Sequence, residues 1–351
     1  MFFQFTQSEF VQFIVDRLGK GKRHAALLYS QWFKTGQVDP STWAEPQALP
    51  LIERMIELVD KTLPPLVSEQ QEGDTTKFLL RMADGLETES VLIPMQAGMT
   101  LCISSQVGCK MGCTFCETGR MGLLRSLTAS EIIAQVFVAR FVLKKPVRNI
   151  VFMGMGEPFD NYDNVMQAIR ILTDSAGLGF GPSRITVSTS GCLDEIDRFT
   201  QEADPAVNLA VSINAPTDEI RDRIMPVNHK WNLQSLKKAL VDYCKHPRRE
   251  ILIEYVLLKD LNDALENADQ LAEYLQGLRV KVNLIPYNAQ RKSRFLPPEE
   301  EVQEAFAKRL FEQGYQVLLR RHKGRGIMAA CGQLGNKDIR KRWIGSVKEL
   351  N

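Results

Sequence analysis

Candidate β-strands alternate with helical patterns from about residue 100 onward, and this alternation constrains the fold more than any other feature. Repeated strand–helix units specify a parallel sheet with right-handed crossovers. Six units are too few for a closed eight-stranded barrel, so the sequence predicts an α/β fold built on a partial (β/α)6 barrel. We expect Gln316–Arg321 to add an edge strand. The six strand candidates are Thr100–Ser105, Asn149–Met155, Arg184–Ser190, Asn208–Ile213, Glu250–Leu258 and Lys281–Tyr287.

The remaining chain divides into three further segments. Residues 1–72 contain no cysteine and predict a small helical domain, in which the basic loop Gly19–Arg23 separates two helices. Such a loop is either solvated surface or a phosphate contact. Residues 73–97 predict a β-hairpin linker around the turn pair Asp84-Gly85, with Glu89 starting its second strand. The barrel then spans residues 98–321, and residues 322–351 form a C-terminal segment that contains Cys331.

Four of the seven cysteines lie within Leu101–Gly119. Cys109, Cys113 and Cys116 have the spacing Cys-x-x-x-Cys-x-x-Cys, and three closely spaced thiolates can hold one cubane iron–sulfur cluster whose fourth iron stays open. Zinc is the competing metal, although structural zinc requires four ligands. The third alternative is that the cysteines are small buried hydrophobic residues.

Composition excludes several classes of protein. A formal net charge of +2 does not by itself indicate a nucleic-acid binder, so RNA affinity would depend on how the 44 Lys and Arg residues are distributed. The chain has no apolar run long enough for a membrane span and no signal-peptide pattern. An odd number of partly clustered cysteines indicates metal or redox chemistry in a reducing compartment, so we expect a cytoplasmic protein.

Small and polar residues follow the predicted strands where a ligand would bind. In parallel β–α folds the carboxyl ends of the strands form the binding face. The sequence therefore predicts a polar ring at one mouth of the barrel. The alternative for Gly156-Glu157-Pro158 is a simple turn in which the Glu157 side chain is solvated and binds no ligand. The residues at these strand ends are Gly154, Gly156, Glu157, Ser188, Thr189, Ser190, Ser212, Asn214 and Asn288.

The cysteines outside the spaced triplet and Glu89 have less specific surroundings. Cys331 lies in a run of small residues after the basic segment Arg320–Arg325, which exposes the thiol and favours its thiolate. Cys192 and Cys244 lie beside apolar or helical residues and are predicted to pack. From composition alone, Glu89 is a solvated strand residue.

Five motifs resemble those of the RlmN/Cfr family of radical S-adenosylmethionine (SAM) RNA adenosine methyltransferases, and are closer to RlmN. The similarity covers about Lys77–Gly335. It implies a radical SAM partial barrel and a [4Fe–4S] cluster on Cys109, Cys113 and Cys116, with SAM on the open iron. It also implies an N-terminal domain that helps hold RNA, and SAM contacts at Gly156, Glu157, Ser188, Ser212, Asn214 and Asn288. The motifs are LCISSQVGCKMGCTFC, FMGMGEP, VSTSG, NLIPYN and AACGQLG.

The resemblance also implies a reaction scheme. Carbon 2 of adenine is not nucleophilic, so its methylation needs radical chemistry supplied by the cofactors. In the family's scheme Cys331 takes a methyl group from one SAM, and a radical derived from a second SAM abstracts hydrogen from it. The methylene adds to adenine, Cys102 resolves the adduct by forming a disulfide with Cys331, and Glu89 is the candidate base. The implied substrate is 23S ribosomal RNA, and a tRNA in some members.

The implied partners are an RNA substrate and a low-potential electron donor such as flavodoxin or ferredoxin, and the implied protein is a monomer. Some positions depart from the family, since many members have His where this chain has Asn214. A divergent paralogue that methylates another adenosine or carbon 8 therefore remains open. So do a radical SAM enzyme with a non-RNA substrate and a non-catalytic RNA-binding or metal-storage protein.

Overall fold

The N-terminal helices pack directly on the barrel. A computed structural model of the chain describes residues 2–290, 293–320, 324 and 326–335. The first helix begins at a capping box formed by Thr6 and Glu9. Rings from this region contact Phe137, with centroid distances of 5.0 Å to Phe3 and 5.4 Å to Trp32. The helical segment therefore shares one apolar core with the barrel. Its helices are α1 (Gln7–Leu18), α2 (Lys22–Thr35) and α3 (Leu49–Glu57).

Three antiparallel strands connect these helices to the barrel. The predicted hairpin is confirmed as β2 (Thr75–Arg81) and β3 (Glu87–Met95), although β3 starts two residues before Glu89. A strand preceding it, β1 (Leu66–Glu72), pairs with β2. The expectation of helices throughout residues 1–72 is wrong at this point. β1 is mostly exposed and lacks an apolar period, so pairing with β2 rather than its own pattern makes it a strand.

The described residues form one sheet of ten strands, in which the seven strands from β4 (Gly98–Cys102) to the edge strand β12 (Gln316–Leu319) all pair in parallel. β3 pairs antiparallel with β4, so the hairpin continues the barrel sheet. The predicted six parallel strands and the added edge strand are confirmed. Arg321, which was assigned to the edge strand, lies outside the described residues. The parallel strands are β4 (Gly98–Cys102), β7 (Val147–Phe152), β8 (Ile185–Thr189), β9 (Asn208–Ser212), β10 (Ile251–Leu257), β11 (Val280–Pro286) and β12 (Gln316–Leu319), and a separate ribbon comprises β5 (Gln106–Val107) and β6 (Arg125–Ser126).

Helices cover the outer face of the sheet. A capping box of Thr128 and Glu131 opens a helix whose residues are all buried, and a π-helical turn extends it through Val142. Among the described residues, no helix is both long and apolar enough to cross a bilayer. The helices are α4 (Glu117–Met121), α5 (Ala129–Phe137), α6 (Tyr162–Thr173), α7 (Leu193–Glu202), α8 (Asp218–Ile224), α9 (Leu233–Tyr243), α10 (Leu265–Leu275) and α11 (Glu300–Glu312).

Candidate active site

One chamber lies at the carboxyl ends of the parallel strands, as the ligand-binding rule for such folds predicts. The structure brings ten of the twelve predicted site residues to its wall. Cys102 and Glu89 are buried and do not line the chamber as the described residues define it. The residues in the wall are Cys109, Cys113, Cys116, Cys331, Gly156, Glu157, Ser188, Ser212, Asn214 and Asn288.

The loop with the three spaced cysteines is held by its own backbone. The N–H of Cys109 donates to the carbonyl of Gly122 at 3.2 Å, and the N–H of Cys116 donates to Cys113 at 3.1 Å. A Cβ at Gly108 would lie 1.9 Å from the Gly122 oxygen, so the loop can close only with glycine there. Local contacts therefore set the direction of the three thiols.

The chemistry of these donors fits a cubane cluster. All three cysteines are free of disulfides, and burial raises the pKa of each thiol, that of Cys113 to about 12. A metal centre is what keeps such buried thiols ionised. In a cubane each cysteine binds its own iron, so three thiolates suffice for a cluster with one open iron, whereas a structural zinc site requires four ligands on one ion.

Glu157 is a buried carboxylate fixed by backbone donors. Its Oε1 accepts from the N–H of Phe159 at 3.1 Å, and its Oε2 accepts from the N–H of Ser190 at 2.8 Å. Burial raises the pKa of the Glu157 carboxyl, and these hydrogen bonds oppose the shift. With 4% of its surface exposed, Glu157 is not the solvated turn residue that the sequence left open.

The other polar wall residues are tied to their neighbours. Asn214 has a left-handed backbone with φ of 56°, and its Oδ1 accepts from the N–H of Val256 at 2.8 Å. Asn is among the few residues that tolerate this conformation. Asn288 donates through Nδ2 to the carbonyl of Cys331 at 3.1 Å. Both amides therefore also hold the wall of the chamber together.

Sequence reasoning missed Arg221, which fixes the ends of two wall strands. Its guanidinium is fully buried and donates to the carbonyls of Ser190 at 2.6 Å, Ser212 at 3.1 Å and Ile213 at 3.1 Å. Helix α8 carries this side chain into the barrel. The guanidinium also donates to Oδ1 of Asn228 at 2.9 Å. No sequence signal marks Arg221, because its other three partners are backbone carbonyls distributed over distant segments.

The segment around Cys331 is anchored to the cysteine loop. The carbonyl of Gly332 accepts from the N–H of Glu117 at 2.8 Å and from Nε2 of Gln290 at 2.8 Å. Gln290 also donates to the carbonyl of Phe115 at 2.5 Å. Cys331 is accessible through the open chamber, yet enough protein surrounds its thiol to raise its pKa. The predicted exposure is confirmed, but the predicted preference for the thiolate is wrong, because burial under the folded segment raises the pKa of the Cys331 thiol more than the charge of Arg320 lowers it.

Cys102 ends β4 behind the chamber. Burial raises the pKa of its thiol to about 12, and the neighbouring Cys331 adds to that shift while Arg320 opposes it. The same guanidinium lowers the pKa of Cys331, so one positive charge acts on both thiols. The remaining basic residues of the segment after β12 (Arg321, His322, Lys323 and Arg325) and residues 336–351 lie outside the described residues.

Glu89 is buried rather than solvated, which corrects the reading from composition. Its Oε2 accepts from the N–H of Gly335 at 3.0 Å, and Oε1 lies 3.8 Å from Nζ of Lys77. Burial raises the pKa of Glu89, and the Lys77 charge opposes the shift. Cys192 is buried in the core, and Cys244 packs at its edge, as predicted.

Comparison with known proteins gives consistent results. The Radical SAM superfamily pattern matches residues 103–272. A probable dual-specificity RNA methyltransferase RlmN 1 from Protochlamydia amoebophila is 53% identical over 96% of this chain and 94% of its own length. A dual-specificity RNA methyltransferase RlmN from Geobacter sulfurreducens is 44% identical over 95% of this chain and 92% of its own. The crystal structure of a radical SAM methyltransferase from Sphaerobacter thermophilus superposes with a TM-score of 0.87 at 37% identity, covering 94% of this chain and 98% of that chain.

Proposed function

Because the chain belongs to the RlmN-type RNA methyltransferases of the radical SAM superfamily, we propose that it methylates carbon 2 of an adenosine in 23S ribosomal RNA. A tRNA adenosine is the second substrate, which the dual specificity in the relatives' names supports. The observation that carries the proposal is that Cys331 lines the same chamber as the three spaced cysteines, with Cys102 behind it.

Cys109, Cys113 and Cys116 would hold a [4Fe–4S] cluster and leave one iron for SAM. When bound, the cluster and SAM together would supply reductive radical chemistry and the methyl group. The contacts to SAM would come from the strand ends. Their glycine, hydroxyl, carboxylate and amide groups suit an amino acid joined to a nucleoside. These residues are Gly156, Glu157, Ser188, Ser212, Asn214 and Asn288.

Cys331 carries the one-carbon unit. Its thiol gives up a proton and takes the methyl group as a thioether. Once this carbon is bonded to the adenine ring, the Cys102 thiolate would attack the Cys331 sulfur. The sulfur–carbon bond breaks, the released carbon takes a proton to become the methyl group of the base, and the two cysteines are left as a disulfide. Two electrons from a thiol reductant restore both thiols.

Glu89 would accept the proton lost from the adenine ring. Burial raises the pKa of its carboxyl, which makes the carboxylate a stronger base than a solvated one. Its contact with Gly335 keeps it close to the Cys331 segment. The departure at Asn214, where many relatives have His, supports product at carbon 8 or at another adenosine as the second candidate.

We also propose the following organisation. Residues 1–72 form an RNA-contacting accessory domain, residues 73–97 a hairpin linker, residues 98–321 the barrel and residues 322–351 the segment with the catalytic cysteine. Exposed Lys20, Lys22 and Arg23 offer phosphate contacts in the accessory domain. The protein would act as a cytoplasmic monomer that receives electrons from a flavodoxin or ferredoxin.

The test uses anaerobically reconstituted enzyme, SAM, a reductant and ribosomal or transfer RNA, with nucleosides identified by mass spectrometry. The unsubstituted enzyme should form 2-methyladenosine. Cys331→Ala and Cys102→Ala should each abolish net product, while Cys244→Ala, outside the chamber, should leave it intact. Methylated RNA from Cys331→Ala under reducing conditions would overturn the proposal.

A further inference from the structure

Strand β10 carries a single acid into the chamber wall. Glu254 lies among apolar residues of Ile251–Leu257, has 5% of its surface exposed and lines the chamber. Its Oε2 accepts from Nδ2 of Asn283 at 2.7 Å, whereas Oε1 is buried without a hydrogen-bond partner among the described residues. An unpaired carboxylate oxygen in such a place is costly, so a fold that keeps one has a use for it.

Asn283 links Glu254 to the cationic side of the site. Its Oδ1 accepts from Nε of Arg320 at 2.9 Å, so a chain of hydrogen bonds runs from the Glu254 carboxylate to the Arg320 guanidinium. The charge of Arg320 favours the thiolates of Cys102 and Cys331, whereas the negative charge of Glu254 raises the pKa of the Cys331 thiol and so favours its protonated form. A carboxylate, a guanidinium and two thiols thus form one electrostatic group.

Methylation of Cys331 requires a place for its proton. An ordinary thiol has a pKa of about 8.5, so at neutral pH it must lose a proton to become a nucleophile. Glu157, the other carboxylate in the chamber wall, has both oxygens occupied by backbone donors. Glu254 is the chamber carboxylate with an unoccupied oxygen.

We propose that Glu254 is the base that takes the Cys331 thiol proton as Cys331 receives its methyl group, and that Arg320 is the positioning residue that stabilises the thiolate. The inference rests on the proposed function. In this step the bond between the SAM sulfur and the methyl carbon breaks, and a bond between that carbon and Cys331 Sγ forms. The proton moves to Glu254, so SAM and thiol become S-adenosylhomocysteine and a thioether with no change of oxidation state.

The experiment measures this half-reaction alone. Cluster-loaded enzyme is mixed with SAM without RNA or reductant, and methyl-Cys331 is followed by peptide mass spectrometry from pH 6.5 to 8.5. With an internal base, the rate is constant between the pKa of Glu254 and that of Cys331. Without an internal base, the methylation rate is proportional to the thiolate fraction of Cys331 and rises about tenfold per pH unit. Among the described residues, the other ionisable groups that act on the charge of the Cys331 thiol, or on which that thiol acts, are Arg320, Cys102 and Cys116.

Glu254→Gln keeps the shape and the acceptor for Asn283 but cannot take a proton. It should slow methylation at pH 7 by about 100-fold and convert the flat profile to a tenfold rise per pH unit. Glu254→Asp should remain flat. Glu250→Gln, which removes a half-exposed acid beside the same strand, should match the unsubstituted enzyme.

A second readout is the rate at which iodoacetamide labels Cys331 without SAM, with Cys244 as the internal reference. In Glu254→Gln, the pH dependence of this labelling rate should also change from flat to a rise of about tenfold per pH unit. The proposal would be overturned if Glu254→Gln kept the pH dependence of the unsubstituted enzyme and reacted at an equal or faster rate. A Glu254 carboxylate that only repels the Cys331 thiolate gives that result. No methyl-Cys331 in the unsubstituted enzyme would instead contradict the proposed function.

Discussion

The Glu89 carboxylate accepts a hydrogen bond of 3.0 Å from the backbone N–H of Gly335. On the other side of Cys331, Nζ of Lys77 donates to the carbonyl of Met328 at 3.4 Å, and Lys77 also pairs with Glu89. Neighbouring strands of the hairpin therefore hold both ends of the cysteine segment. This contact gives Glu89 a positioning role that can be separated from its proposed role as a base.

Substitution of Glu89 should separate the two roles. Glu89→Gln retains an acceptor for Gly335, so hydrogen exchange across residues 328–335 should stay slow while RNA methylation falls by about 100-fold or more. Glu89→Ala should accelerate exchange in the segment and also remove activity. Glu69→Ala, on the exposed strand β1, is the control. Full activity in Glu89→Gln would exclude the base and leave only the anchor.

Arg221→Met should destabilise the protein by about 3–5 kcal/mol. It leaves three buried carbonyl acceptors without their donor, at about 1–3 kcal/mol for each, and the loss is partly relieved by relaxation. The measurement is urea unfolding followed by circular dichroism. Arg198→Met, which removes a half-exposed ion pair, should leave the free energy of unfolding nearly unchanged. A loss for Arg221→Met as small as that for Arg198→Met would contradict the structural role.

Replacement of Cys109, Cys113 or Cys116 by Ser should each remove most of the bound iron and sulfide, because each thiolate is proposed to bind a different iron. Iron and sulfide are quantified after anaerobic reconstitution. Cys244→Ser is the matched control, since Cys244 lies at the edge of the core. Retention of a full complement by any of the three variants would place the cluster on other residues.

The Cys102 thiol should be nearly inert towards iodoacetamide at pH 8. With a pKa of about 12, its thiolate fraction is roughly a thousandfold below that of an ordinary cysteine, and its labelling rate should rise about tenfold per unit up to pH 10. Peptide mass spectrometry gives the rate. Arg320→Met removes the charge that lowers this pKa, so labelling should slow further. Rapid labelling at pH 8 would contradict a buried, protonated resolving thiol.

The predictable parts of this molecule are those with a local pattern. The parallel strands alternate with helices in the sequence, and the carboxyl-end rule then collected Glu157, Ser188 and Asn288 in one chamber. The environment of Glu89 was not predictable, because its partner Gly335 is 246 residues away. Arg221 was missed because carbonyl partners leave no sequence signal. Glu254 did have a sequence signal, because it is the single acidic residue in an otherwise apolar strand.

The most direct test of the account follows one methyl group. Cluster-loaded enzyme is incubated with methyl-labelled SAM, freed of small molecules, and then given RNA, reductant and unlabelled SAM for a single turnover. The account predicts that the first 2-methyladenosine carries the label, because its carbon was stored on Cys331. An unlabelled methyl group in that first product would contradict it.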